Sequence, residues 1–308
     1  MPDPDLSAGS TSAAPTAPTM SRRATPRPTF VRPTVIRRED TAHHVWGDTK
    51  SGFVTDRVYV SSDTLHVLEF ELAPGGEFRH SPTNKTVFAA DVMYCVLEGE
   101  LTIADPQHGE VQVVEAGAGV LFGRDTWHHG FNPTQQTLRV LEFFAPPPSR
   151  GTASTYARTR PDLAEVRYRD FRWSLRWPEA TAEQRAASRL RVVRADDALW
   201  FFAAASPTHL VGTLADTEHL TVRAGRVHAG HVEDLQKVDD ESLLVVTGGE
   251  LWVDTRDERT AEFGPACLLP GDAAYAPRGD QLRVLNRSGN VATYLLGSGR
   301  PVPDGWTP

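Results

Sequence analysis

A series of short runs alternating apolar and polar residues occupies the first half of the chain and returns, in the same order, in the second. The first series reads DTLHVLEFELAPGG, VMYCVLEGELTIAD, EVQVVEAGAGVLFG and TLRVLEFFAP. The second reads DTEHLTVRAGRVHAGH, SLLVVTGGELWVDT, AEFGPACLLPGDAAYAPRGD and QLRVLNRSGN. Side chains alternate faces along a strand, so period-two runs broken by Gly, Pro, Asn and Asp define antiparallel strands with one apolar face. Repetition of the whole set in order implies two copies of one all-β barrel, and 308 residues are enough to bury two cores. Three stretches anchor the alignment: LEGELTI (97–103) with TGGELWV (247–253), DTLH (63–66) with DTEH (216–219), and EAGAGVLFGRD (115–125) with LLPGDAAYAPRGD (268–280).

Composition sets the limits of the two copies. Residues 1–29 are Pro, Ser, Thr and Ala with almost no large apolar side chain, so burial cannot offset their ordering entropy and they are expected to be a disordered tail. A first barrel over 30–148, a connector over 149–195, a second barrel over 196–300 and a tail over 301–308 follow. The connector is rich in Pro and Arg, and its EATAEQRAASRL predicts a short helix from Glu179 to about Leu190. A formal charge of −8 opposes nonspecific binding to nucleic acid or an anionic membrane, both of which need a basic face; a small-molecule partner is expected. No apolar run is long enough to span a bilayer and no signal-peptide layout is present, so the expected location is cytoplasmic. Cys95 and Cys267 lie in apolar runs of different halves and read as buried free thiols.

At the repeated turns the chain resembles the cupin superfamily, and its duplication resembles a bicupin, two jelly-roll barrels in tandem. The superfamily's second motif, G-x5-P-x-G-x2-H-x3-N, is matched in the first copy by Gly117, Gly123 for Pro, Asp125 for Gly, His128 and Asn132. The second copy has Gly271, Pro277, Gly279, Leu282 where the histidine would stand, and Asn286. In the adjacent pair His128–His129 only one side chain can face the barrel interior, and the spacing selects His128. The first motif, G-x5-H-x-H-x3-4-E-x6-G, places His80 at its first histidine, with Pro82 at the second and Asp91 one residue before the acidic position.

The resemblance implies a divalent metal in the first barrel, Fe(II) by preference and Mn(II) or Zn(II) otherwise, held by His80 and His128 with Asp91 or His66 completing the set. His66 shares a face with Leu68, Phe70 and Leu72 and points inward. Glu142, a charge inside an apolar strand, and Tyr94 are the candidate catalytic groups. In the second copy the first-motif histidines fall around Leu235 to Lys237 and are replaced, while His228 and His231 read as surface residues; that barrel is expected to be metal-free. The resulting expectation is a metalloenzyme acting on a small organic metabolite, by dioxygenase-like oxidation or else isomerisation, cyclisation or decarboxylation. The alternatives are acid–base catalysis by His128 and a carboxylate, and a metal-free barrel that binds a small ligand. Cupin barrels often pair, so a homodimer is expected.

Overall fold

The computed structural model describes residues 25–81, 86–146, 157–159, 163–169, 187–203, 206–260 and 263–301. The first tail to residue 24, Pro82, the first eight residues of the expected helix from Glu179 and most of the last tail lie outside them. Leu190, the expected helix end, instead begins a strand, Leu190–Val193.

Both repeats form the same pair of sheets. In the first, a seven-stranded sheet runs in the order Leu190–Val193, Gly119–Phe122, Asp91–Glu98, Leu138–Ala145, His66–Leu72, Gly52–Ser61, Ala42–Asp48; it closes against a four-stranded sheet of Glu77–Phe78, His129–Phe131, Glu100–Asp105 and Glu110–Glu115. The second repeats this with Thr34–Ile36, Ala273–Ala276, Glu241–Gly248, Ala292–Gly299, Leu220–Val227, His209–Asp216, Leu199–Phe202, over Gln236–Lys237, Gln281–Leu285, Leu251–Arg256 and Phe263–Leu268. Each large sheet therefore ends on a strand from the other repeat's flank. Thr34–Ile36 precedes the first barrel yet pairs with Ala273–Ala276, and Leu190–Val193 precedes the second yet pairs with Gly119–Phe122. The barrel limits at residues 30 and 196 are thus crossed by a reciprocal strand exchange.

The large sheets are apolar on both faces, which is why VMYCVL reads as a continuous run. Val92, Tyr94 and Val96 point into the first barrel with Leu68 and Phe70; Met93 and Cys95 point out with Val67, Leu141 and Phe143 and meet Val222, Leu243, Val245 and Leu295 of the second. Cys95 is buried and Cys267 half-buried, and both are free. Repeated polar plugs close the barrels. Asn132 Nδ2 donates to the carbonyls of Leu72, Ala73 and Gln136, and Asn286 Nδ2 does the same to Val227 and Asn290.

Gly297 permits the closest approach between the barrels, because a Cβ there would lie 2.1 Å from Cδ1 of Phe143. Overpacking of this kind costs about 1–3 kcal/mol. Gly297→Ala is expected to lower the apparent Tm by several degrees, and the double variant with Phe143→Leu to recover part of the loss; an unchanged Tm in the single variant would show that the barrels do not meet there.

Candidate functional sites in the two barrel interiors

Hydrogen bonds that recur between the repeats fix which positions correspond. Gly75 N–H donates to Asn132 O as Gly230 N–H does to Asn286 O, and Asn132 N–H donates to Gly76 O as Asn286 N–H does to His231 O. Glu77 pairs with Phe131 and Val232 with Leu285. Gly76 and Phe78 therefore occupy the positions of His231 and Glu233. His80 lies two residues beyond that pair, not within it.

The same comparison shifts DTLH against DTEH by two residues. Ser62 and Thr217 make the same turn, each hydroxyl bonded to the carbonyl and amide three residues on, so Leu65 matches Leu220 and His66 matches Thr221 rather than His219.

In the first barrel His128 points inward. Its Nδ1 bonds Thr126 O at 3.2 Å, its Nε2 lies 3.3 Å from Tyr94 Oη, and Phe122, Phe78 and Tyr94 surround the ring. His129 points away: its Nε2 accepts the His80 amide and its Nδ1 lies 2.9 Å from Tyr168 Oη. Asp125, standing for the motif's glycine, adopts the left-handed conformation at φ 56°, as Gly279 does at φ 96°. His80 reaches the neighbourhood, its ring centroid 5.9 Å from that of His128 and 4.2 Å from Trp127.

Two expected ligands are elsewhere. Asp91 pairs with Ala145 on the outward face of the sheet, where Oδ2 accepts the Thr217 hydroxyl at 2.7 Å and Oδ1 faces Arg124; the one-residue offset turns it from the interior. His66 does face inward, but it packs on Phe144 with no partner for its buried Nδ1, and burial, then the charge of Arg27, push its pKa down to about 4. It is a neutral wall residue. Among the described residues no three His, Cys, Asp or Glu side chains converge in the first barrel.

What does converge there is acidic. Glu142 stands in the rung between Leu68 and Tyr94, and Asp56 in the neighbouring rung beside Phe70. Neither carboxylate has a hydrogen bond or ion pair among the described residues. Burial pushes Asp56 up to about 8; burial and then the charge of Asp56 push Glu142 up to about 8. Burial, then Glu142 and Asp56, hold the Tyr94 hydroxyl well above its usual value, and burial lowers His128.

The second barrel holds a group that includes His231, expected at the surface, together with His209 and Glu233. His209, His231 and Glu233 bring one ligand atom each within 4.8 Å of one another, and His231 is 1% exposed. Glu233 Oε2 lies 2.9 Å from His209 Nδ1 and 3.3 Å from His231 Nε2, while Oε1 accepts the Val284 amide. The far side of each ring is also held, His209 Nε2 by Tyr294 Oη at 2.7 Å and His231 Nδ1 by Thr208 Oγ1 at 2.8 Å. Burial opposes the charge of Glu233, but the bonds from His209, the Val284 amide and His231 outweigh it and hold the carboxyl below its usual range. The signal was in the sequence: Gly225 precedes His231 by the first motif's G-x5-H spacing, with Glu233 in place of the second histidine.

Two interlocked antiparallel barrels with these matched turns make a bicupin-like fold. The structure resembles the putative glyoxylate-induced protein of Pseudomonas aeruginosa (15% identity, 93% of this chain and 97% of that one, TM-score 0.61). It also resembles Lactobacillus farciminis oxalate decarboxylase in its formate complex (10%, 91% and 88%, TM-score 0.58) and Bacillus subtilis oxalate decarboxylase, whose Mn(II) centres have been characterised (12%, 91% and 79%, TM-score 0.55). No protein-family model and no curated protein matches the sequence.

The unpaired acids set a pH dependence. A carboxyl whose folded pKa of about 8 exceeds its unfolded value near 4 keeps its proton longer in the folded state, so its contribution falls as pH rises through that window. Thermal unfolding of Glu142→Gln should show a shallower fall in Tm between pH 5 and 8.5 than the parent, the two converging below about pH 4. Parallel profiles would place the Glu142 carboxylate in free contact with solvent.

Proposed function

We propose that this bicupin is a metal-dependent protein whose divalent centre lies in the C-terminal barrel, on His209, His231 and Glu233, and that it acts there on a small organic molecule. The observation that carries the reading is the convergence of two imidazole nitrogens and one carboxylate oxygen inside 4.8 Å, two of them, from His231 and Glu233, at the barrel positions of the first cupin motif. Two histidines and a carboxylate suit Fe(II), Mn(II) or Zn(II) and leave coordination positions open. The Mn(II) centres of the Bacillus oxalate decarboxylase support a divalent ion in this fold.

The protein's own groups prepare the site. Tyr294 Oη turns His209 so that Nδ1 faces Glu233, Thr208 Oγ1 turns His231 so that Nε2 does, and the Val284 amide fixes the carboxylate's other oxygen. Gly225 is required beside them, since a Cβ there would lie 2.1 Å from the Tyr294 ring. A bound metal would polarise a substrate oxygen as a Lewis acid or, as Fe(II), support oxidation by O2; dioxygenase-like oxidation is the form of this reading that the ligand set favours.

One observation favours a metal-free alternative: the three groups satisfy one another's hydrogen bonds, closed by Tyr294 and Thr208, as a structural network would. Metal analysis of protein purified without chelator separates the two. Near-stoichiometric transition metal is expected in the parent and in His128→Ala, with at least a roughly tenfold loss in His231→Ala and Glu233→Gln. Retention by both barrel-two variants, or metal-free parent protein, would overturn the metal reading.

A further inference from the structure

We propose that the N-terminal barrel is a second ligand site, separate from the cluster of the C-terminal barrel, and that it takes a small organic ammonium ion between Asp56, Glu142 and Tyr94. Asp56 is 5% exposed, shares the inward face with Val54, Val58 and Phe70, and has no hydrogen bond or ion pair among the described residues. A carboxylate in a largely buried residue without a hydrogen bond is costly to ionise, and such a group calls for an explanation, of which a bound ion is one. Glu142, on the same face, is only half-buried although its rung neighbours Leu68 and Tyr94 are buried, so the interior is accessible at its carboxylate.

The hydrogen-bond directions decide what the ligand must bring. His128 Nδ1 faces a carbonyl, Thr126 O, and must donate to it. With its pKa lowered by burial the ring is neutral, so Nε2 is the acceptor of the Tyr94 hydroxyl proton. Tyr94 therefore presents only oxygen lone pairs to Glu142 and Asp56. His44, opposite Asp56 on the edge strand, is not within ion-pair distance and burial lowers its pKa, so it supplies no charge. Once Glu142 and Asp56 are ionised the set consists of acceptors, and its complement is a group rich in donors and positively charged.

An organic ammonium fits better than a metal ion. No three-ligand group forms among the described residues here, whereas an ammonium tolerates wider spacing. The walls are the rings of Phe70, Phe78, Tyr94 and Phe122, with neighbouring centroids 4.7–6.4 Å apart, and aromatic faces attract a desolvated cation. Because both acids hold protons near neutrality, loading the site with a cation expels protons.

The test is titration calorimetry at pH 7.5 with an alkylammonium series from methylammonium to benzylammonium, against the matched alcohols and against Mg2+ and Ca2+. At least one amine should bind with net proton release, seen as a heat that depends on the buffer's ionisation enthalpy, and more tightly than its alcohol. Glu142→Gln and Asp56→Asn should each weaken it at least roughly tenfold, the scale of losing one partner of a buried charge pair. His231→Ala, which destroys the C-terminal cluster, should leave amine binding unchanged, so failure of this proposal is distinguishable from failure of the metal reading. No binding across the series, alcohols binding as well as amines, binding of Mg2+ or Ca2+ in their place, or full binding by circularly dichroic, folded Glu142→Gln would overturn it.

Discussion

The barrels cannot be separated, because each large sheet is apolar on both faces and is finished by a strand from the other repeat's flank. Burial of a large apolar side chain contributes roughly 1.5–3 kcal/mol, so the back-to-back layer of Met93, Leu141, Phe143, Leu243, Val245 and Leu295 supplies the bulk of the association. Apolar contact alone is not directional. The exchanged strand is registered by Arg37, which donates to Asp272 and to Cys267 O, and by Arg38, which reaches back to Glu69 and Glu71 of the first barrel. Glu241 accepts from Ser62 and Thr64 across the interface, and Asp91 accepts from Thr217 in the mirror contact.

With the backs fixed in this way, the interiors are free to diverge, and they have done so in complementary fashion. The first barrel keeps the last motif histidine, His128, and replaces the first pair by Gly76 and Phe78; the second keeps His231 and Glu233 and replaces the last by Leu282. Phe78 packs over Gly130, where a Cβ would come within 2.3 Å of its ring, and so fills the room that Glu233 uses for hydrogen bonds. Cross-strand registers extend the pattern: Asp56, Tyr94 and Glu142 correspond to Val211, Leu244 and Leu296, whereas His209 and Tyr294 correspond to Val54 and Val140. Every inward polar side chain in this set faces an apolar counterpart in the other copy.

The duplicated β-architecture was legible because period-two alternation and the glycines at turns are local properties. Gly117, Gly271 and Gly279 all take positive φ where the motif calls for it. Parity admits only one of His128 and His129 to the interior, and the motif spacing selects His128. Correspondence across loops of unequal length is not legible in this way: His80 stands near the first-motif histidine position without occupying it, and the DT-x-H anchor is two residues out of step. Parity converts a one-residue slip into a wrong face, and Asp91, one residue before the motif's acidic position, is such a case. Asp56 and His209 carry no motif at all; they become visible only when strand pairing sets them opposite Phe70 and Val227. The reciprocal strand exchange has no signature in a sequence read one barrel at a time.

Two carboxylates on adjacent strands show how differently the same sheet treats charge on its two faces. Glu69 lies opposite Leu141, on the back, and is 0% exposed. Burial opposes its charge, but Arg139 and Arg38 hydrogen-bond both oxygens and hold its pKa below the usual range. Glu142 lies in the next rung, opposite Leu68, and faces inward with no guanidinium and no donor, so its pKa rises instead. Glu142 and Leu141 are consecutive residues, and Arg139 on their strand already serves Glu69. The fold therefore has cationic side chains within reach of this strand and commits them to the structural carboxylate. On the inward face no cation among the described residues reaches Glu142, and the proposed ammonium ligand is what would complete its charge from outside the chain.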